Sequence, residues 1–390
     1  MQNQIRISEG LVVLGFTVLI ASAFMMLTPT QVLGIPMGEW TNRSPTTAPE
    51  PRTHSPLTFH LNSGLVILYG GFNATFSHLG DTWAYEYSAN TWTNRAPSSS
   101  PPPTGGHYLS YDWDFQQVIF FGGHLSGAHA SIVTFHETWA YNYTTNTWTN
   151  RTTASHPPGS AWGDMTYIVQ AERQLLFGGL GDGAALLDDT WTYDYETNTW
   201  ANRAPSANPP ARFDHRMVYD SESDKVILVG GIGLGGNVLD DVWAYDYTSN
   251  TWTERASLPS DLCSQGLAYD NGMDRVILFG GTRDFDETNL SDETWIYDFN
   301  TDTWEQLTPS PHPPGTCRAY MTYDDRAQRS ILFGGRGTSP SPVHFEETWA
   351  FRYFDTTTDG GVVPGFPAVA ILFGIALSLG ITIITRRKRH

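Results

Sequence analysis

Six Gly-Gly pairs divide the chain into near-equal lengths, and that regularity limits the fold more than any other feature. They fall at 70–71, 122–123, 178–179, 230–231, 280–281 and 334–335. Each closes an apolar run, from LVILYGG in the first to SILFGG in the last. Eleven residues before the first Gly of each pair stands an aromatic: Phe59, Tyr111, Tyr167, Tyr219, Tyr269 and Tyr323. After each pair comes an acidic-x-Trp triplet ending at Trp83, Trp139, Trp191, Trp243, Trp295 and Trp349. Five of these are followed, nine residues later, by a second Trp: Trp92, Trp148, Trp200, Trp252 and Trp304. The period is 50–56 residues. A repeat of this length means an array of like units rather than unrelated domains.

Within one period the pattern alternates as β-strands do. The aromatic marks a first strand, and the apolar run is a second that ends at Gly-Gly. WAYNY or WAYDY is a third strand, and the second Trp sits in a fourth. Trp, Trp+2 and Trp+4 share one face, while Ala84, Ala140, Thr192, Ala244, Ile296 and Ala350, mostly small, face the other way. The Gly pair is expected where the backbone turns and lets a large ring approach. A single four-stranded unit cannot bury both faces. Stacked neighbours can, and closing the stack into a ring protects the edges. The expectation is all-β, a six-bladed β-propeller.

The count fixes how the ring closes. The sixth period has Trp349, but position 358, where its second Trp belongs, is Thr. Trp40 lies 19 residues before Phe59, the interval that also separates Trp92 from Tyr111 and Trp148 from Tyr167. EWTNR, residues 39–43, is therefore expected as the fourth strand of blade six, supplied by the N-terminus.

Both ends of the chain are apolar. Residues 11–27 follow a short polar segment, and Ala21-Ser22-Ala23 has the form of a signal cleavage site, so residues 1–35 are a cleaved signal peptide or a retained signal anchor. Residues 362–385 carry no charge, span ~36 Å as a helix and precede the basic residues 386–390. The expectation is a single-pass transmembrane helix with a cytoplasmic basic tail, after a linker at 358–361 and a propeller at 36–357 outside the cytoplasm. Net charge is −18, with only two Lys, which argues against nucleic acid as a partner.

The Gly-Gly after an apolar strand, the spaced Trp residues and the Tyr two residues after Trp resemble the kelch motif. The resemblance covers residues ~38–355, at the kelch period of ~50. It departs in blade six, which has Phe351 and Arg352 where the others have Tyr and mostly Asp. The Arg that often opens a kelch blade matches at Arg52 and Arg212, with Arg318 shifted by two. Pro364-Gly365-Phe366, followed by an apolar helix and a basic end, is similar to the PGF-type sorting tail of archaeal surface proteins. That family implies removal of the helix by a sortase-like protease and its replacement by a lipid; the alternative is a permanent membrane helix.

Candidate sites lie where the loops are long and variable, between second and third strands and between blades. The starts of the first strands carry His54, His107, Trp162, Arg212, His215 and Arg318, which differ from blade to blade. They either bind a carbohydrate or peptide or fill the central opening by packing on one another. The acidic residues Asp81, Glu137, Asp189, Asp241, Glu293 and Glu347 recur in every blade and are expected to tie loop backbone to the third strand. In the acidic loop 283–293, Asp284, Asp286 and Glu287 are weak Ca²⁺ candidates, against a solvated acidic loop. His124, His129 and His136 match no zinc spacing. Cys263 and Cys317 occupy equivalent positions in adjacent blades and would suit either a disulfide or two free thiols. Sequons at Asn42, Asn73, Asn142, Asn150 and Asn289 fit a glycosylated ectodomain.

The reading these features favour is a membrane-anchored extracellular binding or adhesion module for a protein or glycan, with no cofactor. The alternatives are a carbohydrate-acting oxidase or epimerase on a kelch propeller, and a structural component of the cell envelope. The kelch resemblance extends to a copper-radical oxidase family related to galactose oxidase. That chemistry needs a Cys-crosslinked Tyr with His ligands, which the sequence does not present. Fold alone does not choose among these.

Overall fold

The computed structural model describes residues 36–126, 132–338 and 343–355. The chain divides into two units, residues 37–353 and residues 1–36 with 354–390, and the second unit is described only at Pro36, Phe354 and Asp355. The expected signal segment, linker, apolar helix, basic tail and PGF motif lie outside the described residues. Among those described, no helix is long and apolar enough to cross a membrane.

Residues 37–353 form a six-bladed propeller. Blade four shows the pattern: Arg216–Asp220, Lys225–Ile232, Val238–Asp246 and Thr251–Arg255, antiparallel and paired in chain order from the axis outward. Each first strand packs against the first strands of both neighbouring blades, and the sixth, Tyr320–Asp324, meets the first, Leu57–His60.

Blade six is assembled from both ends of the chain. Its outer strand is Pro36–Asn42, hydrogen-bonded to Thr348–Asp355, then Arg329–Phe333 and Tyr320–Asp324. Trp40 is buried against Phe279 and Phe351, ring centroids 4.8 and 4.9 Å away. The expected closure by EWTNR is what the structure contains.

The repeated Trp-Thr-Asn-Arg words are two-sided clips between blades. The outer-strand Trp reaches back. Its indole N–H donates to the Thr that precedes Trp in the third strand of the preceding blade: Trp92 to Thr348, Trp148 to Thr82, Trp200 to Thr138, Trp252 to Thr190 and Trp40 to Thr294, at 2.9–3.0 Å. The Arg three residues on reaches forward. Arg43, Arg95, Arg151, Arg203 and Arg255 stack over Tyr87, Tyr143, Tyr195, Tyr247 and Phe299 of the next blade at 4.2–4.4 Å.

One expectation about the Gly pair needs correction. The second strand does not always end there: in blades one, three and four it runs on through the pair, with an irregular register at the Gly. What approaches the pair in every blade is the next blade's backbone, and the Tyr108 ring also lies against Gly122 and Gly179. Gly71, Gly123, Gly179, Gly231, Gly281 and Gly335 each donate their N–H to the residue opening the next blade, at 2.7–3.2 Å, with Gly335 closing the circle on Arg52. A Cβ on Gly280, φ +70°, would sit 2.6 Å from the Thr316 carbonyl. Only glycine allows that approach at that φ.

Candidate functional site

The first strands converge on the axis, so the residues that open them decide what the centre of the ring offers. Six of them share a left-handed backbone: His54, Gly106, Trp162, Asp214, Ser264 and Arg318, all with φ between 49° and 68°. The N–H of each donates to the carbonyl of its counterpart one blade back, through Gly106 to His54 and round to His54 to Arg318. These six bonds form a closed hoop about the axis.

The six residues singled out from sequence lie in or beside this hoop. His54, Trp162 and Arg318 belong to it, His107 and His215 follow it by one position, and Arg212 precedes it by two. Arg318, the most exposed, has 18% of its side chain accessible and pairs with Glu287. The others are buried. Arg212 holds Asp241 through two nitrogens, as Arg52 holds Asp81. His107 packs on Tyr69 and Phe120, and His215 on Phe177. Burial pushes His54 and His107 down to about 3, and His215 well below the usual imidazole range. Asp214 lies 3.7 Å from His54. Burial opposes its charge, but His54, Arg318 and Arg216 hold its carboxyl down at about 2.

Beyond the hoop the axis is hollow. A cavity of about 180 Å³ runs along the first strands. Asp164, Arg216 and Tyr320, two positions after the hoop, line its deep end, and Leu57, Leu109, Met165, Met217, Leu267 and Met321 follow. It opens at the turns after the first strands, beside Leu61, Trp113, Ser221, Asn271 and Asp325. That is the end opposite the long loops. Burial raises the Asp164 carboxyl to about 6, although Arg216 pulls it the other way.

The long-loop end has a different character. Leu234 is 83% exposed, Phe76 54%, Val133 48%, Phe285 45% and Val343 38%, and all five sit between the second and third strands of their blades. Asp182, Asp188, Asp240, Asp286 and Glu346 are exposed among them. The loops brace one another. Thr134 N–H donates to Asp182 at 2.8 Å, His78 and His124 bond at 3.2 Å, Arg336 pairs with Glu287 at 2.5 Å, and Phe76 meets His344 at 5.4 Å between rings.

The metal candidates do not converge. The Asp284 carboxylate accepts from Thr282 and Thr288, Asp286 is exposed, and Glu287 is held between Arg318 and Arg336. His124 faces His78, His136 stacks on His156, and His129 lies outside the described residues. No group of three His, Cys, Asp or Glu among the described residues could hold a metal ion. Cys263 and Cys317 are buried free thiols, their ionisation opposed by burial. The sequon residues Asn42, Asn150 and Asn289 are exposed, and Asn73 and Asn142 half-buried.

The recurrent acidic residues bind something other than loop backbone. Asp81, Glu137, Asp241, Glu293 and Glu347 accept the indole N–H of the Trp two residues on, at 2.6–3.0 Å. Asp189 accepts from Asn202 instead.

A kelch-repeat family model, the KLHDC2/KLHL20/DRC7 kelch-repeats domain, matches residues 30–208 and again 176–358. The chain belongs to the kelch-repeat family. This kelch chain is similar to an F-box/kelch-repeat protein of Arabidopsis thaliana, 28% identical over 290 residues, 67% of this chain and 57% of the relative. It is also similar to Adagio-like protein 1 of Oryza sativa subsp. japonica, 23% identical over 294 residues, covering 70% and 45%. Acyl-CoA-binding domain-containing protein 4 of Arabidopsis thaliana matches at 27% over 227 residues, covering 54% and 32%. The kelch chain thus spans about half the length of the first two relatives. The hoop and the cavity are the features least visible from residue order: left-handed backbone at His54 or Trp162 has no sequence signature.

Proposed function

We propose that this kelch propeller is a protein-interaction module whose docking surface is the long-loop end, displayed outside the cytoplasm on a membrane-anchored chain. The kelch-repeat propeller is commonly an interaction module. The observation that carries the choice of surface is the set of five exposed apolar side chains at the loop tips, Phe76, Val133, Leu234, Phe285 and Val343. Single exposed apolar residues are ordinary, but a set gathered on one end and ringed by acids has the chemistry of an interface. The partner it fits presents apolar and basic side chains, in keeping with a chain of net charge −18. The uncharged run 362–385 followed by basic residues supports the anchored, outward-facing placement.

The test is a peptide and glycan array probed with the full chain and with Leu234→Asp and Phe285→Asp variants. Basic-apolar peptides should bind the parent, weaken with added salt and lose at least tenfold affinity in the variants. Glycans bound and peptides not, or binding indifferent to both substitutions, would contradict the reading. Placement is checked by a membrane-impermeant biotin reagent on intact cells, which should label the propeller.

A further inference from the structure

Three arginines are almost wholly buried near the axis, and they are not alike. Arg52 and Arg212 spend all their donor nitrogens. Nε goes to the Glu50 or Pro210 carbonyl, and Nη1 and Nη2 go to the Asp81 or Asp241 carboxylate. Arg216, 2% exposed, spends one: its Nη1 donates to the His215 carbonyl at 2.9 Å. Its Nε and Nη2 have no partner among the described residues. Its guanidinium lies 4.0 Å from the centre of the Tyr320 ring, and the Tyr320 hydroxyl, also buried, has no partner there either. Both side chains line the deep end of the 180 Å³ cavity. Asp164, beside them, has its two oxygens occupied by the N–H groups of Met165 and Met217 at 2.8 and 2.7 Å.

Nε and Nη2 are the two parallel donors on one edge of a guanidinium, the edge that meets both oxygens of a carboxylate. A buried charge with that edge unused is costly unless something fills it. We propose that the closed end of the axial cavity is a carboxylate-binding site: Arg216 grips a small monocarboxylate through Nε and Nη2, with Tyr320 stacked under the guanidinium and offering its hydroxyl. The cavity opens at the turn end, since the backbone hoop shuts the other. The ligand enters carboxylate first, and its body lies between the Leu and Met layer and the hydroxyls of Thr58, Thr166 and Thr322. The Asp164 carboxylate in the same floor sets the charge. It already offsets the Arg216 charge, so a dianion is disfavoured more strongly than a monoanion. This site is distinct from the loop-end docking surface and does not depend on it.

The experiment titrates acetate and butyrate into the full chain by saturation-transfer NMR, with inorganic phosphate as the dianionic arm. Saturable binding of the monocarboxylates, stronger than that of phosphate, is expected. Arg216→Lys keeps the charge and removes the fork, and should weaken binding at least tenfold. Tyr320→Phe removes only the hydroxyl and should weaken it several-fold. Thr166→Leu fills the bore from its wall without touching Arg216. It should abolish butyrate binding even if the arginine variant fails to fold. A crystal grown in acetate should show the planar anion on Nε and Nη2. Water alone at that edge, phosphate bound as well as acetate, or binding unchanged in Thr166→Leu would each overturn the proposal.

Discussion

At the scale of single residues, the repeat is read through atoms the sequence pattern does not name. The Gly pairs mark the period because each one receives a carbonyl of the next blade, a contact that leaves no space for Cβ. Gly280→Ala combines a left-handed backbone with a clash against Thr316 and should cost about 3 kcal/mol or more. Gly183, φ +67°, has nothing within 4 Å of the place a Cβ would take, so Gly183→Ala bears the backbone cost alone, about 1–2 kcal/mol. Denaturant unfolding of the two variants side by side separates the roles. Equal losses would mean that the interblade contact contributes nothing.

At the scale of elements, the outer strand is the joint between blades. Its Trp needs a hydroxyl in the blade behind it, and five blades supply a Thr there. Blade four has Val242 instead, and Trp304 turns to the Ala256 carbonyl at 3.1 Å. Thr294→Val should leave the Trp40 indole N–H buried and unpaired, at a cost of about 1–3 kcal/mol measured by denaturant unfolding. The strands and the borrowed strand of blade six were legible because a 19-residue interval and a missing second Trp are countable. Phe351 looked like a defect in the motif and proves to be a consequence of the closure. In the other blades the Tyr hydroxyl at this position donates to a residue in the turn between third and fourth strands, as Tyr85 does to Asn90 and Tyr297 to Asp302. Blade six has no such turn, because its outer strand comes from the other end of the chain. The cavity was not legible. The sequence pointed to the starts of the first strands, but six left-handed residues there knit those starts into a hoop. The open space lies two positions further on, at Asp164, Arg216 and Tyr320.

At the scale of the whole molecule, the buried imidazoles couple the fold to pH. His54 and His107 refuse protons that the unfolded chain accepts near pH 6.5, so their contribution is complete above that pH and is lost as pH falls toward about 3, and burial shifts His215 in the same direction. Burial raises the Asp112 and Asp164 carboxyls to about 6, and the strain of keeping them charged is relieved as pH falls from there to about 3.8. The two groups oppose each other, so melting temperature should fall gently between pH 6.5 and 4. Below that the carboxyl relief is exhausted while Asp214, held at about 2, begins to lose its own contribution, and the fall should steepen. A His107→Asn variant should show a shallower fall between pH 6.5 and 4, read by calorimetry against the parent.

The claim on which the rest stands is that one ring of six blades is closed by the N-terminal strand. The direct measurement is the thermal melt of the chain lacking residues 38–44 beside the full chain. Removing Trp40 from its pocket and Arg43 from Tyr87 takes away both clips of blade six, a loss of several kcal/mol. For a domain of this size that lowers the melting temperature by roughly 10 °C. Addition of a peptide spanning residues 36–45 should restore part of that loss. A melt unchanged by the deletion would contradict the closed ring.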